Sequence, residues 1–118
     1  MPKLKKPKYN KKIADQLFSE LIRKAGKCFK CGSTFHLQTA HIFTRGYYTI
    51  RWNPRNAKCL CAKCHMYFTY HPIEWENFIK YHIGEEEYND LRRMALAYEK
   101  IDYQAIIEGL IGQLTLIT

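Results

Sequence analysis

The sequence predicts an α+β fold, and three observations carry that prediction. Residues 13–22 repeat their apolar positions at helical spacing. Two short segments rich in aromatic, threonine and isoleucine residues follow. From about residue 61 the chain returns to helical spacing. With 118 residues there is room for one compact domain, and 47% apolar with 25% charged residues is an ordinary globular mixture. A core of this size is thin enough that a structural metal would help it.

In chain order, Ile13, Leu17, Leu21 and Ile22 form the first helical stripe, with Asp15 near its start, Arg23 and Lys24 near its end and Gly26 to close it. Cys28 to Gly32 reads as a tight turn. Residues 35–43 read as a strand, Thr44 to Gly46 as a break, and Tyr47 to Trp52 as a second strand ended by Asn53-Pro54. A short loop is expected to Leu60, then a helix starting within Cys61 to Cys64 and ending before Pro72. Pro72 suits the first turn of a helix that buries Trp75, Phe78, Ile79 and His82 and closes at Gly84. Glu85, Glu86 and Glu87 open another helix, with Tyr88, Leu91, Ala95 and Tyr98 apolar. The last segment is apolar from Ile106 to Ile117, but Gly109 and Gly112 weaken it as a helix.

Charge divides the chain more clearly than composition does. Nineteen basic against eleven acidic residues give +8 and a pI near 9.3. Residues 1–12 form a basic arm with six lysines and no acid, residues 13–100 the main domain, and residues 101–118 an apolar C-terminal segment for packing or oligomerisation. A lysine-rich arm beside a basic domain suits a polyanion, because lysine–phosphate contacts release condensed counterions; a solubility role is the plainer alternative. No apolar run reaches membrane-span length and no signal-peptide core follows the lysines, so no membrane partner is expected. The odd count of five cysteines fits a reducing, intracellular, cytoplasmic setting.

Cys28-x-x-Cys31 and Cys61-x-x-Cys64 supply four soft thiolates, the closed tetrahedral set of a structural zinc site with no position left for chemistry. Zinc bound as four thiolates would lower the net charge from +8 to about +6. A dithiol redox pair is the competing reading. Cys59 offers a rival ligand, but counting back three from Cys64 selects Cys61 and leaves Cys59 a buried free thiol.

Between and just after the cysteines stand Ala40-His41-Ile42, then Asn56, then Cys64-His65. Histidine, asparagine and histidine in this order, inside paired CxxC motifs, resemble the HNH nucleases of the ββα-metal (His-Me finger) fold. More narrowly, His41-Ile-Phe-Thr-Arg45-Gly46, Ile50-Arg-Trp-Asn53, Asn56 and the Cys61/Cys64 knuckle resemble NinG/Rap-type phage recombination endonucleases, over about residues 28–95. The resemblance implies a ββα-metal core with a structural zinc held by the four cysteines, an N-terminal helix and C-terminal helices. It implies a metal-dependent endodeoxyribonuclease acting on branched or recombination-intermediate DNA, in a host cytoplasm if phage-encoded. It assigns His41 as general base, Asn56 as the residue that orients it through its backbone or ring, and His65 as ligand to a catalytic Mg²⁺ or Mn²⁺. The chemistry suits these types, since a neutral imidazole can take a proton from water and a divalent ion can stabilise charge on phosphate and leaving group. Two positions depart from the family. Ala40 stands where many members carry a second metal ligand, and Thr69 where some carry a third. His71 and His36 are the substitutes at hand.

Arg45, Arg51, Arg55, Lys58 and Lys63 are the expected DNA contacts, with Arg45 placed to clamp the scissile phosphate. Tyr47 and Tyr48 could stack on bases or pack within a strand. Nothing resembles a base-reading helix, so DNA shape is the expected specificity. Two rival readings stand beside the nuclease. One is a non-catalytic zinc-ribbon DNA-binding module, a degenerate HNH domain, which Ala40 favours. The other is a zinc-dependent assembly domain, with a homodimer formed through the apolar segment from Ile106 to Ile117.

Overall fold

The structure, a computed structural model, describes residues 9–117. Lys3, Lys5, Lys6 and Lys8 of the basic arm lie outside the described residues, whereas Lys11 and Lys12 open helix α1 (Lys11–Arg23). Asn10 caps α1, its side-chain oxygen accepting the Ile13 N–H at 3.0 Å. The helix buries Ala14 and Phe18 on one face, as its apolar spacing requires. Removing the Phe18 side chain from water contributes about 2–3 kcal/mol.

Strand β1 (Leu37–His41) falls inside the predicted segment. Its partner is not the predicted one. Residues 47–52 form a short helix, α2 (Tyr48–Arg51), and the second strand is β2 (Ala57–Cys61), where a loop was expected. The physical reason lies in burial. Ile50, Arg51 and Trp52 are buried consecutively, which a half-covered strand with its two-residue alternation cannot do. Ala-Lys-Cys-Leu-Cys has little intrinsic strand preference, but tertiary pairing overrides it. β1 takes up one edge antiparallel, and the backbone N–H of Phe29 reaches the Cys59 carbonyl at 2.8 Å on the other. The register sets Leu37 opposite Cys61 and His41 opposite Ala57.

Three helices follow close to expectation: α3 (Ala62–Tyr70), α4 (Pro72–Ile83) and α5 (Glu85–Leu96). Gly84, at φ +87°, takes the left-handed turn between α4 and α5 that a side chain would resist. The C-terminal segment is a full helix, α6 (Tyr103–Ile117), despite its two glycines. Ile107 and Leu110 pack with Ala14 and Phe18 of α1, Trp52 and Ala57, so tertiary burial outweighs weak propensity. The hairpin is therefore covered on both faces. Thr39, His41 and Ala57 turn toward α1, while Ala40 and Leu60 pack on Phe68 of α3 with Trp75 and Phe78 of α4 alongside. The chain is α+β and mostly helical, with one two-stranded antiparallel sheet. Among the described residues, no helix is long and apolar enough to cross a membrane.

Candidate functional site

The β1–β2 register draws the two knuckles together at one end of the hairpin. The sulfurs of Cys28, Cys31, Cys61 and Cys64 all lie within 4.8 Å of one another, with Cys31 Sγ 3.7 Å from Cys61 Sγ. Tetrahedral zinc with bonds of about 2.3 Å needs sulfur separations of about 3.8 Å. Each CxxC folds alike: the Cys31 N–H points to Cys28 Sγ and the Cys64 N–H to Cys61 Sγ, both at 3.5 Å. Gly32 takes φ +78° as the first knuckle turns back. Burial raises the Cys28 thiol, but backbone N–H groups of Cys31, Cys61 and Lys30 outweigh it and bring it down to about 6. Burial and the neighbouring sulfurs push Cys64 up to about 12. Four sulfurs so close cannot all carry charge without a cation between them, so this donor set could hold one structural metal ion such as zinc. Cys59 is buried and stands outside the cluster, and burial raises its thiol.

At the other end of the hairpin sits His41. Its Nε2 lies 2.9 Å from the carbonyl oxygen of Arg51. A carbonyl only accepts, so Nε2 carries the proton and Nδ1 keeps its lone pair in the neutral ring. Burial lowers the His41 pKa below its ordinary value, and the Arg45 and Arg51 charges add to that, against the Arg51 carbonyl and Asp15. The ring is therefore neutral near pH 7 and able to accept a proton.

Asn56 is fully buried at the end of the 3-10 turn Pro54–Asn56. Its Oδ1 accepts the Phe43 N–H at 2.8 Å, and its Nδ2 donates to the carbonyls of Phe43 at 3.0 Å and Ile50 at 3.2 Å. Instead of bonding His41's ring or backbone as expected, its side chain ties the chain just after His41 to α2, whose Arg51 carbonyl receives His41.

His65 faces α3's side of the hairpin. Its Nδ1 meets Gln38 Oε1 at 2.7 Å, which leaves Nε2 open to a ligand, and burial lowers its pKa. His41 and His65 line one cleft of about 230 Å³ with Thr44 and Thr69, over a floor of Leu60, Phe68 and Trp75. A resident Mg²⁺ or Mn²⁺ favours several oxygen ligands, above all carboxylates. This cleft offers one imidazole nitrogen and two hydroxyls. Ala40 packs against the apolar floor, and the proposed substitutes lie elsewhere, His71 bonded to the Tyr67 carbonyl and His36 exposed. The residues present do not fit a resident divalent ion. Among the described residues, the four cysteines are the one cluster of three or more metal-ligating side chains.

The basic residues divide into inward and outward groups. Arg51 is buried and forked onto Asp15, so it is not a surface cation. Arg55 pairs with Glu87 of α5, and Lys58 Nζ lies 4.6 Å over the Phe29 ring. Arg45 and Lys63 are exposed. Tyr48 packs edge-on against Trp52, its ring centroid 5.8 Å away, while Tyr47 packs on Phe43. One signal in the sequence is stronger than the individual cations: residues 21–73 contain no Asp or Glu but nine Lys or Arg. That stretch carries both knuckles, the hairpin and α3, so the acidic residues sit on α1 and from α4 onward.

No known protein family matches this chain, and no curated protein or solved structure matches it either.

Proposed function

We propose that this chain is a DNA endonuclease that hydrolyses phosphodiester bonds, with His41 as general base. One observation carries the reading: the His41 ring is held neutral by its surroundings, with Nε2 committed to the Arg51 carbonyl and Nδ1 left to accept. In the reaction, Nδ1 takes a proton from water as its oxygen bonds to phosphorus. The bond to the 3′ oxygen breaks, and that oxygen leaves with a proton from solvent. Arg45, exposed four residues beyond His41, supplies positive charge to the phosphate. The acid-free stretch around the site provides the field that draws a polyanion to it. The HNH-like pattern of His41, Asn56 and His65 on a β-β-α succession supports a ββα-metal core, and the NinG/Rap-like positions support branched DNA as substrate.

A second reading has its own observation. Ala40 packs among Leu60 and Phe68 where a second metal ligand would stand, which favours a DNA-binding module without catalysis. Cleavage of supercoiled plasmid and of a four-way junction, with Mg²⁺, Mn²⁺ or EDTA, separates the two. Cutting by wild type that is lost in His41→Ala, with zinc content unchanged, supports the nuclease. Salt-sensitive binding without cutting under every metal condition overturns it in favour of the binding module.

A further inference from the structure

Helix α1 lies outside the residues that resemble any nuclease, yet it reaches the His41 ring by two routes. Phe18 packs directly on it, ring centroids 5.3 Å apart. Asp15, one turn earlier, reaches it through Arg51. Asp15 Oδ1 accepts from Arg51 Nε at 3.0 Å and Oδ2 from Arg51 Nη2 at 2.8 Å, a two-pronged fork. Trp52 Nε1 donates to the same Oδ1 at 2.8 Å, and Arg51 Nη1 donates to the Arg45 carbonyl at 3.0 Å. One carboxylate thus fixes two successive residues of the α2 end, and through Arg51 it fixes the start of the loop that carries Arg45.

We infer that Asp15 and Arg51 are positioning residues that set the tautomer of His41 by holding the Arg51 carbonyl 2.9 Å from its Nε2. The inference rests on the reading of His41 as the base, but its first readout does not need catalysis. A carbonyl on a four-residue helix with no side-chain cap at its N-terminus has little to hold it except these side-chain bonds. Once it drifts, nothing in the His41–Arg51 contact distinguishes an Nε2 proton from an Nδ1 proton. The charged groups acting on the ring are Asp15 from α1, Arg51 from α2 and Arg45 from the loop before it, while α4 contributes the neutral Trp75 indole, bonded to the His41 carbonyl at 3.3 Å. A purely structural ion pair would hold α1 to α2 and leave the tautomer alone.

The test uses the full chain, zinc-loaded and ¹⁵N-labelled, with imidazole nitrogen–carbon-proton correlation spectra of wild type, Asp15→Asn and Asp15→Glu. Wild type is expected to show His41 as a single Nε2–H tautomer, Asp15→Asn a mixture with the Nδ1–H form, and Asp15→Glu, which keeps the charge, a return toward the single form. Plasmid cleavage by Asp15→Asn is expected to fall about tenfold in kcat with KM within about twofold. If Asp15→Asn does not fold, Arg51→Lys keeps the charge without the fork and is read in the same way. A single Nε2–H tautomer retained in a folded variant, with only the melting temperature lowered, overturns the inference. Absence of cleavage by wild type would sink the nuclease reading instead and leave the tautomer comparison standing.

Discussion

The two ends of one hairpin are built on different principles. At the Leu37–Cys61 end, four sulfurs converge within 4.8 Å and close a complete donor set. At the His41–Ala57 end, two histidines share a cleft with hydroxyls and apolar side chains, and no carboxylate lines it. The first end spends every ligand on holding segments together. The second leaves nitrogen lone pairs unused in a water-accessible cleft. Closed coordination serves stability, whereas an open donor serves chemistry, and one short strand pair separates the two.

Breaking the closed end should have the largest effect. Cys61→Ser, or metal removal by a chelator, is expected to abolish the cooperative fold, because metal binding at such a site is worth about 10 kcal/mol or more. Circular dichroism with metal analysis checks this, and a chelated protein that melts like the untreated one would contradict it. At the open end, His41→Ala is expected to lower kcat by about 10²- to 10⁴-fold while stability changes little. Equal loss of zinc and fold in that variant would erase the contrast between the two ends.

Asn56→Ala strikes the link behind the open end. It strands the Phe43 N–H and two carbonyls inside the protein, and should cost about 2–4 kcal/mol in urea unfolding, with slower cleavage as α2 loosens. The pH dependence sharpens the same comparison. His41's folded pKa is depressed, so cleavage should persist as pH falls below the ordinary histidine value of 6.5 and fail only at the lower folded value. Burial favours a raised Asp15 pKa, but hydrogen bonds from Arg51 and Trp52 hold it below 3.8. Its stabilisation is therefore present above that value and lost as pH falls through the folded one, an acid limb that Asp15→Asn should lack. The smallest effect belongs to α6, where a Cβ at Gly109 or Gly112 would meet nothing within 4 Å. Gly109→Ala should stabilise by about 1 kcal/mol in thermal melts, leaving both ends of the hairpin untouched.

Local patterns were legible because their causes are local. The CxxC pairs, Pro72 at a helix start, Gly84 at a helix end and the stripe from Ile13 to Ile22 each follow from spacing within a few residues. The second strand was not legible. Tyr47 to Trp52 has the aromatic and β-branched composition of a strand, yet it coils into α2 because Ile50, Arg51 and Trp52 are all drawn inward, toward α1 and Asn56. Arg51 looked like a surface cation because nothing near it in sequence is acidic, and its partner Asp15 lies 36 residues away.

By itself, the sequence determined the helical spans, the charge division and the identity of the four thiolates, because residue type and short-range spacing suffice for these. Only the tertiary structure decided which segment pairs with β1, that the four thiolates meet, which arginine is buried and which nitrogen of His41 carries the proton. Each of those depends on contacts between residues distant in the chain, whose pairing energies no single segment contains.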